Sequence, residues 1–194
     1  MRSLSLVAAM LLALCAPLAH ATDLTQTVIL VAKRELHDRL YGSTILIARP
    51  IGEDRHVGFI VNKPTTMTLG KLFPKDGPSQ KVLDPVFLGG PTGPEVIFAI
   101  VKGAKSPGGR SLQLTPDLYV AFDSSIVDHI IATQSQQARF FAGMVMWAPG
   151  ELAEEVRRGL WYVLDPQPDI LLRKTTDGLW EDLVTREERK DNTI

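Results

Sequence analysis

The stretch MWAPGELAEEVRRGLW, Met146–Trp161, leads from an apolar strand into a helix and on to a further strand, and it decides the fold. Pro149 suits the start of a helix, where a residue without an N–H leaves no donor unpaired. Glu151 lies in the first turn, where the helix dipole favours an acid. Leu152 and Val156 repeat four residues apart, which predicts a helix with one buried face. Strand and helix in this order predict an α/β (α+β) fold.

Apolar and β-branched runs elsewhere predict further strands, and their continuous apolar character indicates strands covered on both faces. Gly and Pro clusters separate them, and residues 102–111 form the loosest loop. Neither an internal repeat nor a low-complexity linker divides the chain, so we expect a single domain in residues 22–194. The predicted strands are residues 27–33, 43–49, 56–62, 85–90, 95–101, 118–122, 138–148, 161–164 and 169–174. The predicted helices lie within residues 63–74, 123–132, 150–158 and 177–194.

Residues 1–21 are predicted to be a secretory signal peptide rather than part of the fold. Arg2 precedes an apolar run, and Ala19, His20 and Ala21 supply a small-residue cleavage motif, so the mature chain would begin at Thr22. The run is too short for a durable membrane span, so we expect none after cleavage. The sequence therefore predicts a periplasmic or secreted protein.

Cleavage would also remove Cys15, the only cysteine of the 194 residues. A lipoprotein interpretation of Cys15 is disfavoured by Leu14, because a lipidation site needs a small residue there. The mature chain would then hold together without a disulfide in an oxidising compartment. The formal net charge is −1 and no Lys/Arg cluster stands out, so nucleic acid is not an expected partner. An envelope protein or a small ligand is the expected partner, and its identity stays open.

Three motifs carry a resemblance to a known family. HVGFIVNKP (His56–Pro64), VFLGGPTGPEVIFAIV (Val86–Val101) and MVMWAPGELAEEVRRGLWYVLDPQPDILL (Met144–Leu172) resemble, in this order along the chain, signatures of the YqgE/AlgH family of bacterial proteins. The resemblance implies an α/β fold with two β-sheets flanked by helices. It implies no reaction, because the family lacks an established activity, although its members are usually called transcriptional regulators.

The chain departs from the family pattern in three places. Lys33 and Arg34 stand where the family usually has a Met-Pro pair, and the turn PIGEDRHVGF (Pro50–Phe59) is altered. Most members also lack a signal peptide. Export would separate this chain from the chromosome, which argues against a transcriptional role.

No catalytic residue, metal site or cofactor is predicted. The histidines His37, His56 and His129 do not have metal-ligand spacing, and His129 is expected on a helix surface. Asp54 and His56 would share a face of a strand and could meet a metal, but a solvated hairpin turn is the alternative. Ser43, His56 and an acid could form a triad, but a Ser-Thr pair that merely opens a strand is the alternative, and the sequence has no G-x-S-x-G elbow.

The residues predicted to bind a ligand are those of the family motifs: Asn62, Lys63, Gly89, Gly90 and Trp147. Asn62 and Gly89 each end a strand, and ligands of α/β sheets settle outside such ends. A glycine pair lets a ligand approach the backbone. The alternative is that these are turn residues needed only for folding, with Trp147 a core or rim aromatic.

Three functions follow in order of preference. The first is a non-enzymatic binding or regulatory protein of the cell envelope. The second is a small-ligand-binding or hydrolytic enzyme that uses a cleft formed by the family motifs. The third is the transcriptional regulator that the family label suggests.

Overall fold

Ten β-strands in a curled arrangement dominate the computed structural model, which describes residues 23–192. Residues 1–22 and 193–194 lie outside the described part, and with them the predicted signal peptide. The ten strands are β1 (Val28–Ala32), β2 (Ile45–Pro50), β3 (His56–Ile60), β4 (Pro64–Thr68), β5 (Pro85–Leu88), β6 (Thr92–Lys102), β7 (Ser111–Thr115), β8 (Leu118–Ala121), β9 (Ala138–Trp147) and β10 (Trp161–Leu164).

Strand β9 joins two groups of strands. Its last residues pair with β3, so the first group has the order β10-β1-β2-β3-β9. Its first residues pair with β6, which continues through β8 to the edge strand β7. Strand β5 pairs in parallel with the middle of β9, on the same side of β9 as β3. Strand β5 also pairs with β4, which is antiparallel to it. The predicted α/β class is therefore confirmed, and β9 joins the two groups of strands into one curled, ten-stranded sheet.

Five α-helices of the described residues flank the sheet. The second packs on β6 and the fifth on β1, and the indole N–H of Trp180 in the fifth helix donates to the Ala32 carbonyl at 2.8 Å. Within residues 23–192 no helix is both long and apolar enough to span a membrane. The helices are α1 (Leu69–Leu72), α2 (Ser124–Gln134), α3 (Glu151–Arg157), α4 (Pro168–Leu171) and α5 (Leu179–Asp191).

The sheet curls around one apolar cluster, which we name the inner core. Alternate residues of nearly every strand meet there, including Ile47 of β2, Phe59 of β3 and Leu118 of β8, and α4 and α5 cover it. A second cluster lies beneath α2, and a third lies between α3 and the outer face of β1, β2 and β3. The continuous apolar runs are explained by this arrangement, because β1 and most of β2 are buried on both faces.

Three predictions of secondary structure were wrong or incomplete. Residues 169–174 were predicted as a strand, but Pro168 opens α4, because a helical turn buries both Ile170 and Leu171 where a strand would turn one of them outward. Strands β4 and β7 were missed because they are polar edge strands with exposed positions. The C-terminal helix runs for 13 residues rather than forming a short piece.

Candidate functional site

Asn62 lies just after β3 and is occupied by main-chain contacts. Its side-chain Oδ1 accepts a hydrogen bond from the Ile45 amide at 2.7 Å, and Nδ2 donates to the Ser43 carbonyl at 3.0 Å. Ile45 opens β2 and Ser43 lies just before it, so the side chain replaces a pair of ladder hydrogen bonds where β3 has ended.

Lys63 is half-buried and holds the same segment of chain. Its Nζ donates to the carbonyls of Leu40, at 3.0 Å, and Gly42, at 3.2 Å. Burial lowers the pKa of Lys63, and the nearby charge of Asp38 opposes that shift. Asn62 and Lys63 therefore attach the loop before β2 to the end of β3. Ligand binding by these two residues stays a prediction.

Gly89 and Gly90 are buried against β9. Gly89 donates its N–H to Ala142 at 2.8 Å and accepts from the Ile60 N–H at 2.9 Å. A Cβ on Gly89 would overlap the carbonyl oxygen of Gly143, and one on Gly90 would overlap the main chain of Met144. Their bare backbone therefore faces a neighbouring strand, which gives both glycines a reason to be present that involves no ligand.

This close approach predicts that Gly89→Ala loses about 1–3 kcal/mol of unfolding free energy, because β9 would have to move. Gly77→Ala is the matched control, since no atom lies within 4 Å of a Cβ at that position. Urea denaturation of both variants measures the difference. If Gly89→Ala is as stable as Gly77→Ala, close packing does not explain the glycine.

Trp147 lies at the opposite end of β3 from the other four predicted residues. It pairs with His56, the first residue of that strand, and is 3% exposed. Its Nε1 donates to Oε2 of Glu155 at 3.1 Å, and Trp161 donates to the same oxygen at 2.9 Å. Trp147 is thus a core aromatic. The structure brings Asn62, Lys63, Gly89 and Gly90 together and separates Trp147 from them.

The solvated turn predicted for Asp54 and His56 forms at Asp54, which is exposed, but it does not include His56. His56 is buried, because β3 begins at this residue and packs between β2 and β9. Its Nε2 donates to the Leu24 carbonyl at 2.9 Å, and Nδ1 is buried without a partner. Ser43 lies before β2, whereas His56 pairs with Pro50 at the other end of that strand, which places them roughly 20 Å apart. A triad of Ser43 and His56 is therefore excluded.

A cleft that sequence reasoning missed lies where the two ends of the curled sheet approach one another. It has a volume of about 630 Å³ and opens between the edge strand β7 and the segment that joins β10 to α4. We name it the Arg49 cleft. Its lining includes Gln26, Thr27, Arg49, Gln113, Asp117 and Asp165.

Arg49 lies at the edge of the inner core, where the core borders the cleft. Ile45 and Ile47 of β2 point into that core, and strand alternation places Arg49 on the same side. Its Nη1 donates to Oγ1 of Thr27 at 3.2 Å. Nε is buried without a partner. Within residues 23–192 no carboxylate forms an ion pair with this guanidinium, and its Nε–Nη2 edge has no acceptor.

The strand STILIAR contained a signal for this site. Its inward positions read Ile45, Ile47 and then Arg49, so a charge interrupts the apolar row. The turn PIGED follows directly, so the local sequence fits an exposed arginine at a strand end equally well. Only the approach of β7 from the far end of the sheet encloses the side chain.

Metal binding has no visible basis in the part of the chain that the structure describes. No three His, Cys, Asp or Glu side chains of residues 23–192 lie close enough together to hold an ion. Asp54 and His56, which could meet a metal if they shared a strand face, lie in different environments. Asp54 is exposed and His56 is buried.

The AlgH-like family model matches residues 29–190. The chain belongs to the AlgH-like family. This AlgH-like chain is 27% identical over 179 residues to a UPF0301 protein of Thermobifida fusca, which covers 87% of this chain and 90% of that protein. It is 28% identical over 155 residues to a UPF0301 protein of Magnetococcus marinus, covering 78% and 83%.

Solved structures share the fold of the AlgH-like chain. The solution structure of the AlgH protein from Pseudomonas aeruginosa superposes with a TM-score of 0.69 at 19% identity, covering 86% of this chain and 89% of that one. The crystal structure of protein DIP2367 from Corynebacterium diphtheriae gives a TM-score of 0.66 at 19% identity, covering 84% and 86%. The fold of the AlgH-like family is therefore confirmed for this chain.

Proposed function

We propose that this AlgH-like chain is a non-enzymatic binding protein of the cell envelope, and that it binds a small ligand in the Arg49 cleft. One observation carries the proposal: the Nε–Nη2 edge of Arg49 has no acceptor within residues 23–192. A guanidinium edge of this kind matches the two oxygens of a carboxylate. A buried donor without a partner costs about 1–3 kcal/mol, which a ligand oxygen would offset.

The size and chemistry of the cleft support reversible binding. Its volume of about 630 Å³ lies within the range of small-molecule sites. Its described lining has polar Gln and Thr side chains beside Leu114 and three prolines. Histidine, cysteine, serine and lysine are absent from that described lining, and the groups in it that could act as a base or nucleophile are two aspartates and two threonines. These residues can orient a ligand more readily than transform it.

The binding proposal predicts a ligand-dependent rise in the melting temperature that requires Arg49. A ligand at 100 times its Kd stabilises the folded state by about 2.7 kcal/mol, which corresponds to a rise of roughly 5–10 °C for a domain of this size. Differential scanning fluorimetry against a panel of monocarboxylates, amino acids and short peptides measures it. We expect Arg49→Met to abolish the rise.

Arg158→Met is the matched control, because Arg158 is exposed and lies at the end of α3, away from the cleft. It should retain the whole rise. The proposal fails if no member of the panel raises the melting temperature of the native protein more than that of Arg49→Met.

The envelope location rests on residues 1–21, whose pattern is that of a signal peptide. We expect mass spectrometry of the protein isolated from its native host to find Thr22 at the N-terminus, in the periplasmic or secreted fraction. Recovery of the intact form that begins at Met1, in the cytoplasm, would contradict this location. It would not contradict ligand binding in the Arg49 cleft.

A further inference from the structure

The edge of β7 that faces the Arg49 cleft has no strand partner. Strand β7 pairs with β8 on one side, and within residues 23–192 no strand pairs with its other side. Gln113, Leu114 and Thr115 of β7 line the cleft. An open strand edge presents main-chain N–H and C=O groups, which are the partners that an extended peptide needs.

The charges of the cleft are also incompletely paired. Asp117 has partners, because it lies 3.9 Å from Nζ of Lys102 and accepts from the Thr115 hydroxyl at 2.9 Å. Asp165 is exposed and has neither an ion pair nor a side-chain hydrogen bond with the described residues. Arg49 and Asp165 are therefore one positive and one negative group of the cleft, and neither forms an ion pair within residues 23–192.

The main-chain spacing of Arg49 and Asp165 follows from the sheet. Arg49 belongs to β2, and Asp165 directly follows β10, while β1 lies between those two strands. Two inter-strand steps separate their main chains by about 10 Å. Three residues of extended chain span about 10 Å. A ligand with one positive and one negative group is enough to pair with Asp165 and Arg49. The lining contains two acids and one base, and this excess of negative charge disfavours phosphates and other multiply charged anions.

We propose that the cleft binds a short peptide with free termini, of about three residues. Its carboxylate lies on the Nε–Nη2 edge of Arg49, its protonated amino group lies near Asp165, and its main chain runs along the open edge of β7. This assignment rests on the proposed function, since it names the ligand class of the same site. The binding is non-covalent and releases the peptide unchanged.

Three related peptides test the assignment with the full mature chain. Trialanine has both charges, N-acetyl-trialanine lacks the amino charge, and trialanine amide lacks the carboxylate. Isothermal titration calorimetry should show that trialanine binds at least about tenfold more tightly than either derivative. Asp165→Asn should remove the preference over the acetylated peptide, and Arg49→Met should remove the preference over the amide.

The outcomes separate this inference from the proposed function. If N-acetyl-trialanine binds as tightly as trialanine while the amide binds weakly, the cleft recognises a carboxylate and the peptide-zwitterion assignment is wrong. If none of the three peptides binds, the assignment is also wrong, and the wider panel with Arg49→Met decides on the proposed function. Arg158→Met, measured in parallel, should behave as the native protein in every titration.

Discussion

Replacing Trp147 by alanine should lower the free energy of unfolding by about 3–5 kcal/mol. The ring is 3% exposed and packs directly on Gly58. A Cβ on Gly58 would lie only 2.6 Å from the Cζ3 atom of the Trp147 ring. Loss of the ring therefore leaves a cavity beside a residue without a side chain. Urea denaturation followed by far-UV circular dichroism measures the change.

Two further variants separate packing from hydrogen bonding. Trp147→Phe keeps an aromatic ring but removes the indole N–H that donates to Glu155. Glu155→Gln keeps an oxygen that can accept from both Trp147 and Trp161. Each of these should cost less than Trp147→Ala. If Trp147→Ala keeps the native stability, the ring does not support the core and ligand stacking would become the better explanation.

Replacing Arg139 by methionine should lower the free energy of unfolding by roughly 2–5 kcal/mol. Arg139 is 3% exposed, and its two terminal nitrogens donate to the carbonyls of Leu171, at 2.8 Å, and Val61, at 2.6 Å. Methionine keeps most of the volume and removes both donors, so two buried carbonyls lose their partners. The guanidinium also lies 3.8 Å from the centre of the Phe87 ring, and that contact is lost as well.

The cost of burying the Arg139 charge reduces the stability loss expected for Arg139→Met but does not reverse it. Burial lowers the pKa of Arg139 to about 9, and the charge of Asp84 raises it. The group therefore stays protonated at neutral pH, where removing it relieves some desolvation cost. Arg158→Met serves again as the exposed control. An Arg139→Met variant more stable than the native chain would show that this desolvation cost exceeds the value of both hydrogen bonds.

The sequence predicted the fold class because local patterns and tertiary packing agree. The apolar runs of β1, β2, β3, β6 and β9 are buried, and the helix after Trp147 forms where Leu152 predicts it. Predictions failed where the pattern was ambiguous over a few residues. Ile170 and Leu171 suit a strand or a helix equally, and only the inner core that both must reach selects the helix.

The sequence alone determined the family motifs, the buried strands and the residues of the predicted site, but not what those residues contact. Asn62 and Lys63 bind main-chain carbonyls, and Gly89 packs on β9, through partners that are distant in sequence. The Arg49 cleft depends on tertiary structure alone. Its two walls, β7 and the segment after β10, lie about 50 residues apart and meet only because the sheet curls around the inner core. Short-range periodicity reports which face of a strand is apolar, and it carries no information about which distant edge will close over that face.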